Sequence, residues 1–151
     1  MDNLEQLDFN DKHILDKILE WRNDETTRKF SNNTNLISKD IFEKILNKYK
    51  ECSIKPLLIK FQKNVVGIIT FVKSDDKIFI GINIDPNFRS KKIGFLALTE
   101  LTTKNYLPNE EIFAQIKKDN SPSIKLFQKF FEFKAETNDY LLFSRKFNNL
   151  L

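Results

Sequence analysis

Apolar residues recur at two spacings in this chain, three to four positions apart near the beginning and every second position through the middle. Ile14, Leu15, Ile18, Leu19 and Trp21 share one side of a helix predicted over Lys12 to Trp21, and Asp11 precedes it as a side-chain cap for the first-turn amides. Ser38 opens a second amphipathic helix, to about Tyr49, with Ile41, Phe42, Ile45 and Leu46 inward. Leu4, Leu7 and Phe9 fit a short leading strand. Between the helices, Arg22 to Asn35 is polar and rich in Asn and Thr, which predicts a loop or a helical turn inside one.

From Lys55 the period becomes that of strands: Pro56 to Phe61, a turn at Gln62-Lys63-Asn64, Val65 to Val72, a turn at Ser74-Asp75-Asp76, then Ile78 to Ile84. Turns this short make antiparallel neighbours. Pro86 ends the last of these strands because it has no N–H to give. Arg89, Ser90, Lys91, Lys92, Ile93 and Gly94 then lead into Phe95, Leu96, Leu98 and Leu101, apolar at helical spacing over Lys91 to Tyr106. A strand at Ile112 to Ile116 follows, so the strands flanking the helix are candidates for a parallel pair. A helix from Pro122 to Phe131 has its proline where the missing N–H costs nothing. Phe133 to Ala135 and Tyr140 to Lys146 close the sheet as a hairpin. The order predicts an α+β fold: a mixed, mostly antiparallel sheet flanked by helices, with a central parallel strand pair.

At 151 residues the chain has the length of a single domain spanning 1–151, and 40% apolar residues with fifteen Phe exclude a disordered chain. No apolar run approaches the roughly 20 residues of a membrane span. The acidic beginning has no secretory pattern and there is one cysteine, Cys52, which together predict a cytoplasmic protein. The net charge of +4 lacks the clustered Arg and interleaved aromatics of a nucleic-acid binder. His13 and Cys52 have no companions at ligand spacing, so no metal site is expected.

The turn at Arg89 to Gly94 is the chemically informative stretch. A strand that feeds a helix through a turn with Arg89, Lys91, Lys92 and a glycine aims unpaired amides and the positive end of the helix dipole at one spot, and such a spot suits phosphate. The arrangement resembles the cofactor motif of the GNAT superfamily of acyl-CoA N-acyltransferases, Arg or Gln, two residues, Gly, one residue, then Gly or Ala. Arg89 and Gly94 match, while Lys92 stands where the family has its first Gly. Asn120-Ser121-Pro122-Ser123, running on to Phe127, resembles the helix that in this family lies beside the pantetheine arm.

The resemblance implies acetyl-CoA as co-substrate, held by backbone groups of Ile82 and Ile84, by Arg89, Ser90, Lys91, Lys92, Ile93, Gly94 and Phe95, and by Asn120, Ser123 and Phe127. Asn83 and Asn120 are the catalytic candidates, as residues able to orient a water. Many relatives carry Tyr at the position of Phe127 to protonate the departing thiolate, and Phe has no proton to give. A thiol of pKa near 8.5 leaves readily at neutral pH without that help. No carboxylate stands on the central strand where several relatives place a general base. An amine of pKa near 8 needs only about 1.4 kcal/mol to lose its proton at pH 7, against about 4.6 kcal/mol for a lysine amine, so a low-pKa acceptor is expected.

Leu19-Glu20-Trp21-Arg22-Asn23-Asp24, with Arg28 and an Asn-rich continuation, resembles a branch with two activities. One acetylates the 4-amino group of nucleotide-linked amino sugars, as in the pseudaminic-acid pathway; the other acetylates ribosomal-protein N-termini. The first is the closer match, and it implies that Trp21, Arg22, Asn23 and Arg28 meet a small-molecule amine. A degenerate acyl-CoA binder and a homodimer are left open.

Overall fold

The computed structural model describes residues 2–148. Its elements are β1 (Leu4–Gln6), α1 (Lys12–Arg22), α2 (Glu25–Lys29), α3 (Lys39–Glu51), β2 (Leu57–Phe61), β3 (Asn64–Ser74), β4 (Lys77–Ile84), a 3-10 turn (Pro86–Phe88), α4 (Ile93–Thr103), β5 (Glu110–Lys117), α5 (Ser121–Phe127), β6 (Glu132–Glu136) and β7 (Tyr140–Phe147). The strands form one sheet in the order β1-β2-β3-β4-β5-β7-β6, antiparallel except for β4 beside β5. This is the expected α+β architecture.

The meander from β2 to β4 is pinned by two-residue loops. Gln62-Lys63 and Asp75-Asp76 all have positive φ, between 50° and 69°, the hand that matches the twist of the flanking strands. Strand alternation sends two sets of side chains to opposite faces. On one face Leu58 and Ile68 pack with Ile18, Trp21, Phe42 and Leu46 beneath α1 and α3. On the other, Ile69, Phe71, Ile78, Ile80, Ile112 and Ala114 meet Leu98, Leu101 and Phe127 of α4 and α5.

Several boundaries differ from those read in the sequence, and the two later helices end early, α4 at Thr103 and not Tyr106 and α5 at Phe127 and not Phe131. The leading strand stops at Gln6, and Leu7 instead drops into the core under α1 and α3. The stretch after α1 contains a true helix, α2, capped by Asp24, whose side chain accepts from the Thr27 amide. The helix expected from Lys91 starts at Ile93, because Ser90 and Lys92 adopt left-handed backbone at φ 63° and 60°. No helix among the described residues is long and apolar enough to cross a membrane.

Candidate active site: a split sheet and an uncapped helix

β4 and β5 are in register only at Ile78 beside Ile112 and Phe79 beside Phe113, after which both strands run on and diverge. The gap opens a cleft of about 780 Å³ between α2 on one side and α4 and α5 on the other. Its β4 wall has free backbone groups, for a reason of strand geometry. The Asp85 amide donates to Val66 of β3, and N–H groups alternate between strand edges, so those of Ile82 and Ile84 point to the gap.

At the mouth, α4 begins without a side-chain cap, whereas Asp11, Asp24, Ser38 and Asn120 cap α1, α2, α3 and α5. Leu96 makes the first helical bond, back to Lys92, and the amides of Ile93, Gly94 and Phe95 have no acceptor among the described residues. These three donors at the positive end of the helix suit an anion. Gly94 lets α4 approach α5 closely: a Cβ there would stand 3.0 Å from Leu126. Lys92 lines the cleft beside them, Lys91 does not, and Ile93 is buried in the core. Phe95 packs on Phe130 at a centroid separation of 5.6 Å.

Arg89 stands at the junction of the two walls. Its Nη2 lies 2.6 Å from Asp24 Oδ2 and donates to Thr27 Oγ1 at 3.1 Å, while Nε and Nη1 have no partner among the described residues. Burial alone would raise the Asp24 carboxyl, but the bonds it accepts from Arg89 and Thr27 outweigh this and hold it below its usual value. The Thr27 hydroxyl also reaches Asn83 Oδ1 at 3.3 Å, so one chain of contacts runs from the turn after β4, through α2, back to β4. On the α5 side, Asn120 Oδ1 caps the Ser123 amide at 3.3 Å and both residues line the cleft. Phe127 is buried there, edge-on to Phe131 at 5.4 Å.

The acceptor residues expected from the sequence do not line this cleft. Trp21 is 3% exposed and belongs to the core. Arg22 donates to the Asn33 carbonyl at 3.1 Å, with its Nη1 buried and unpartnered, and burial lowers its pKa. Asn23 holds both backbone groups of Ile37, and Arg28 donates to the carbonyls of Asn23 and Thr34. All three brace the loop around α2, because a polar loop crossing a sheet must satisfy its carbonyls internally. The helix they brace supplies Thr26 and Thr27 to the cleft, and the turn after it supplies Phe30 and Ser31, with Gln115 and Lys117 of β5 also lining it. Gln115 and Lys117 were findable from the sequence, since they alternate with the buried Ala114 and Ile116.

A central strand pair that splays apart, free amides on one splayed strand and an uncapped helix at the mouth make a cleft whose polarity suits a phosphate-bearing arm. The chain belongs to the acetyltransferase (GNAT) family, whose model matches residues 15–133. Among solved structures, a phosphinothricin acetyltransferase from Sinorhizobium meliloti in complex with acetyl-CoA superposes with a TM-score of 0.77 at 16% identity, over 95% of this chain and 87% of that one. A ribosomal-protein-alanine N-acetyltransferase from Brucella melitensis gives 0.71 at 17% identity, over 95% and 98%. Campylobacter jejuni N-acetyltransferase PseH in complex with acetyl coenzyme A gives 0.66 at 21%, also over 95% and 98%. No curated protein matches the chain. The protein is an N-acetyltransferase, and acetyl-CoA is its acetyl donor.

Proposed function

We propose that the acetyl group goes to a primary amine of low pKa, the 4-amino group of a nucleotide-linked amino sugar. The observation that carries this reading is the chemistry of the cleft wall. Its ionisable residues are Arg89, Lys92 and Lys117, and no Asp, Glu, His, Cys or Tyr lines it among the described residues. No side chain there has the pKa of a general base near pH 7, so the amine arrives neutral. Hydroxyls and amides from Thr26, Thr27, Ser31, Asn83 and Gln115 suit sugar hydroxyls.

In this reading the free amides of Ile93, Gly94 and Phe95, with Lys92 and the two unpartnered nitrogen positions of Arg89, hold the pyrophosphate of acetyl-CoA. Ile82 and Ile84 pair with the pantetheine. The neutral amine attacks the thioester carbonyl, a β4 amide facing the gap stabilises the oxyanion, and the C–S bond breaks as the N–C bond forms. The amine's second proton passes to solvent or to the departing thiolate. Asn120, whose Oδ1 caps α5, has no partner for its side-chain N–H among the described residues and can orient the water that carries it.

A second reading, transfer to a protein N-terminus, is favoured by the superposition on the Brucella melitensis ribosomal-protein-alanine enzyme and by the α-amino pKa near 8. One screen decides between them: acetyl-CoA with 4-amino nucleotide sugars, free amino sugars and N-terminal peptides. Fastest turnover of the nucleotide sugars is expected. Efficient peptide acetylation with the sugars untouched would overturn the assignment.

A further inference from the structure

The charge around the acceptor half of the cleft narrows the acceptor further, an inference that rests on the transfer to a primary amine proposed above. Ile112, Ala114 and Ile116 of β5 are buried beneath α4 and α5, so Gln115 and Lys117 project to the opposite face, where Thr27 meets Asn83. Lys117 Nζ donates to the Lys29 carbonyl at 3.3 Å, which aims it toward α2, and it belongs to no ion pair among the described residues. Asp119 and Asp139 border an adjoining polar hollow with Lys117 but do not pair with it. The Lys29 ammonium lies 5.2 Å from the centre of the Phe30 ring, which lines the cleft. Asp24, the carboxylate that caps α2, is already taken by Arg89.

Neither Lys117 nor Lys29 is held in an ion pair among the described residues, so both ammonium groups stay available on this side of the cleft. A polyamine or a lysine-rich segment would bring a second cation against Lys117 and Lys29, whereas an anionic group would find an ammonium with donors to spare. We infer that the acceptor carries a phosphoryl group apart from the amine it presents, and that Lys117 binds that group and sets the preference for phosphorylated amines. This deepens the proposed reading by assigning the phosphoryl group of a nucleotide-linked amino sugar to Lys117, to which a sugar phosphate would offer the same chemistry.

Calorimetry on the enzyme saturated with coenzyme A tests this, because the cofactor's own phosphate site is then occupied. Glucosamine, glucosamine 6-phosphate, a nucleotide-linked amino sugar and spermidine are titrated into wild type and Lys117→Gln. Wild type should bind at least one phosphorylated amine about 10-fold or more tightly than glucosamine, and Lys117→Gln should lose most of that preference while keeping its affinity for coenzyme A. Which phosphorylated compound binds separates the sugar-phosphate from the nucleotide source. Lys117→Glu should shift the preference toward spermidine, a gain that misfolding does not produce. Equal binding of glucosamine and its phosphates, or a preference that survives Lys117→Gln, would overturn the inference. Tight, Lys117-dependent binding without acetyl transfer would leave it standing and defeat the proposed reaction instead.

Discussion

Lys92 holds a left-handed backbone conformation, φ 60° and ψ 25°, at the position before α4, where its Cβ crowds the following carbonyl. Glycine takes that conformation freely, which is the physical reason a glycine suits the first turn of such a phosphate loop. Lys92→Gly should raise stability by about 0.5–1 kcal/mol, the strain relieved less the chain entropy that glycine adds to the unfolded state. It should also weaken coenzyme A by up to about fivefold, because one exposed cation leaves the pyrophosphate site. Denaturant midpoints at constant m and cofactor titration read the two effects separately. Phe127 makes the complementary case, a buried ring in the cleft with no proton to donate. Since a thiol of pKa near 8.5 departs unaided, Phe127→Tyr should change turnover by less than about tenfold. A hundredfold gain would show that thiolate departure limits the rate.

At the scale of elements, α2 decides how the two halves of the cleft meet. It is five residues long, too short to be stable alone, and holds its place through the Asp24 cap, the ion pair to Arg89 and the Thr27 contact with Asn83. Asp24→Ala should therefore loosen the whole loop, raise the acceptor KM several-fold and destabilise the fold by about 1 kcal/mol through the lost cap. Acetyl-CoA affinity should hold or rise, because Arg89 is released toward the pyrophosphate. The same contact has a pH signature. The Asp24 carboxyl sits below its ordinary value near 3.8, so its stabilising contribution is present above that pH and disappears as the pH falls below it. Hydrogen exchange at Thr27 and Arg28, compared in wild type and Asp24→Asn, should differ most above about pH 4, and the difference should shrink as the pH is lowered through the depressed Asp24 value. Arg22, Asn23 and Arg28 belong at this scale too. Their polarity marked the segment in the sequence, but their contacts make them braces of the loop and not its reading surface.

Across the whole molecule, the cleft supplies position and positive charge, and no carboxylate, imidazole, thiol or phenol lines it among the described residues. The pH dependence of kcat/KM should therefore be a single ascending limb whose midpoint follows the pKa of whichever amine is offered. Measuring two acceptors whose amines differ by one pKa unit should displace the midpoint by about one unit. An unmoved midpoint near pH 6 to 7 would reveal an enzyme base.

Much of this fold is written locally. Period-two apolar runs and short turns dictate the β2 to β4 meander, caps at Asp11 and Ser38 start the helices over the same face, and a proline-ended strand before a cationic turn marks the phosphate end of the cleft. These features depend on residues within a few positions of one another. The acceptor side does not. Arg89 meets Asp24 across 65 positions, Lys117 meets Lys29 across 88, and whether a polar side chain there faces substrate or braces a loop depends on which carbonyls the folded sheet leaves within its reach. The sequence by itself determined the order of elements and the cationic turn that leads into the uncapped start of α4. Only the tertiary structure decided that Thr26, Thr27, Phe30, Ser31 and Lys117, and not Trp21, Arg22, Asn23 and Arg28, line the cleft.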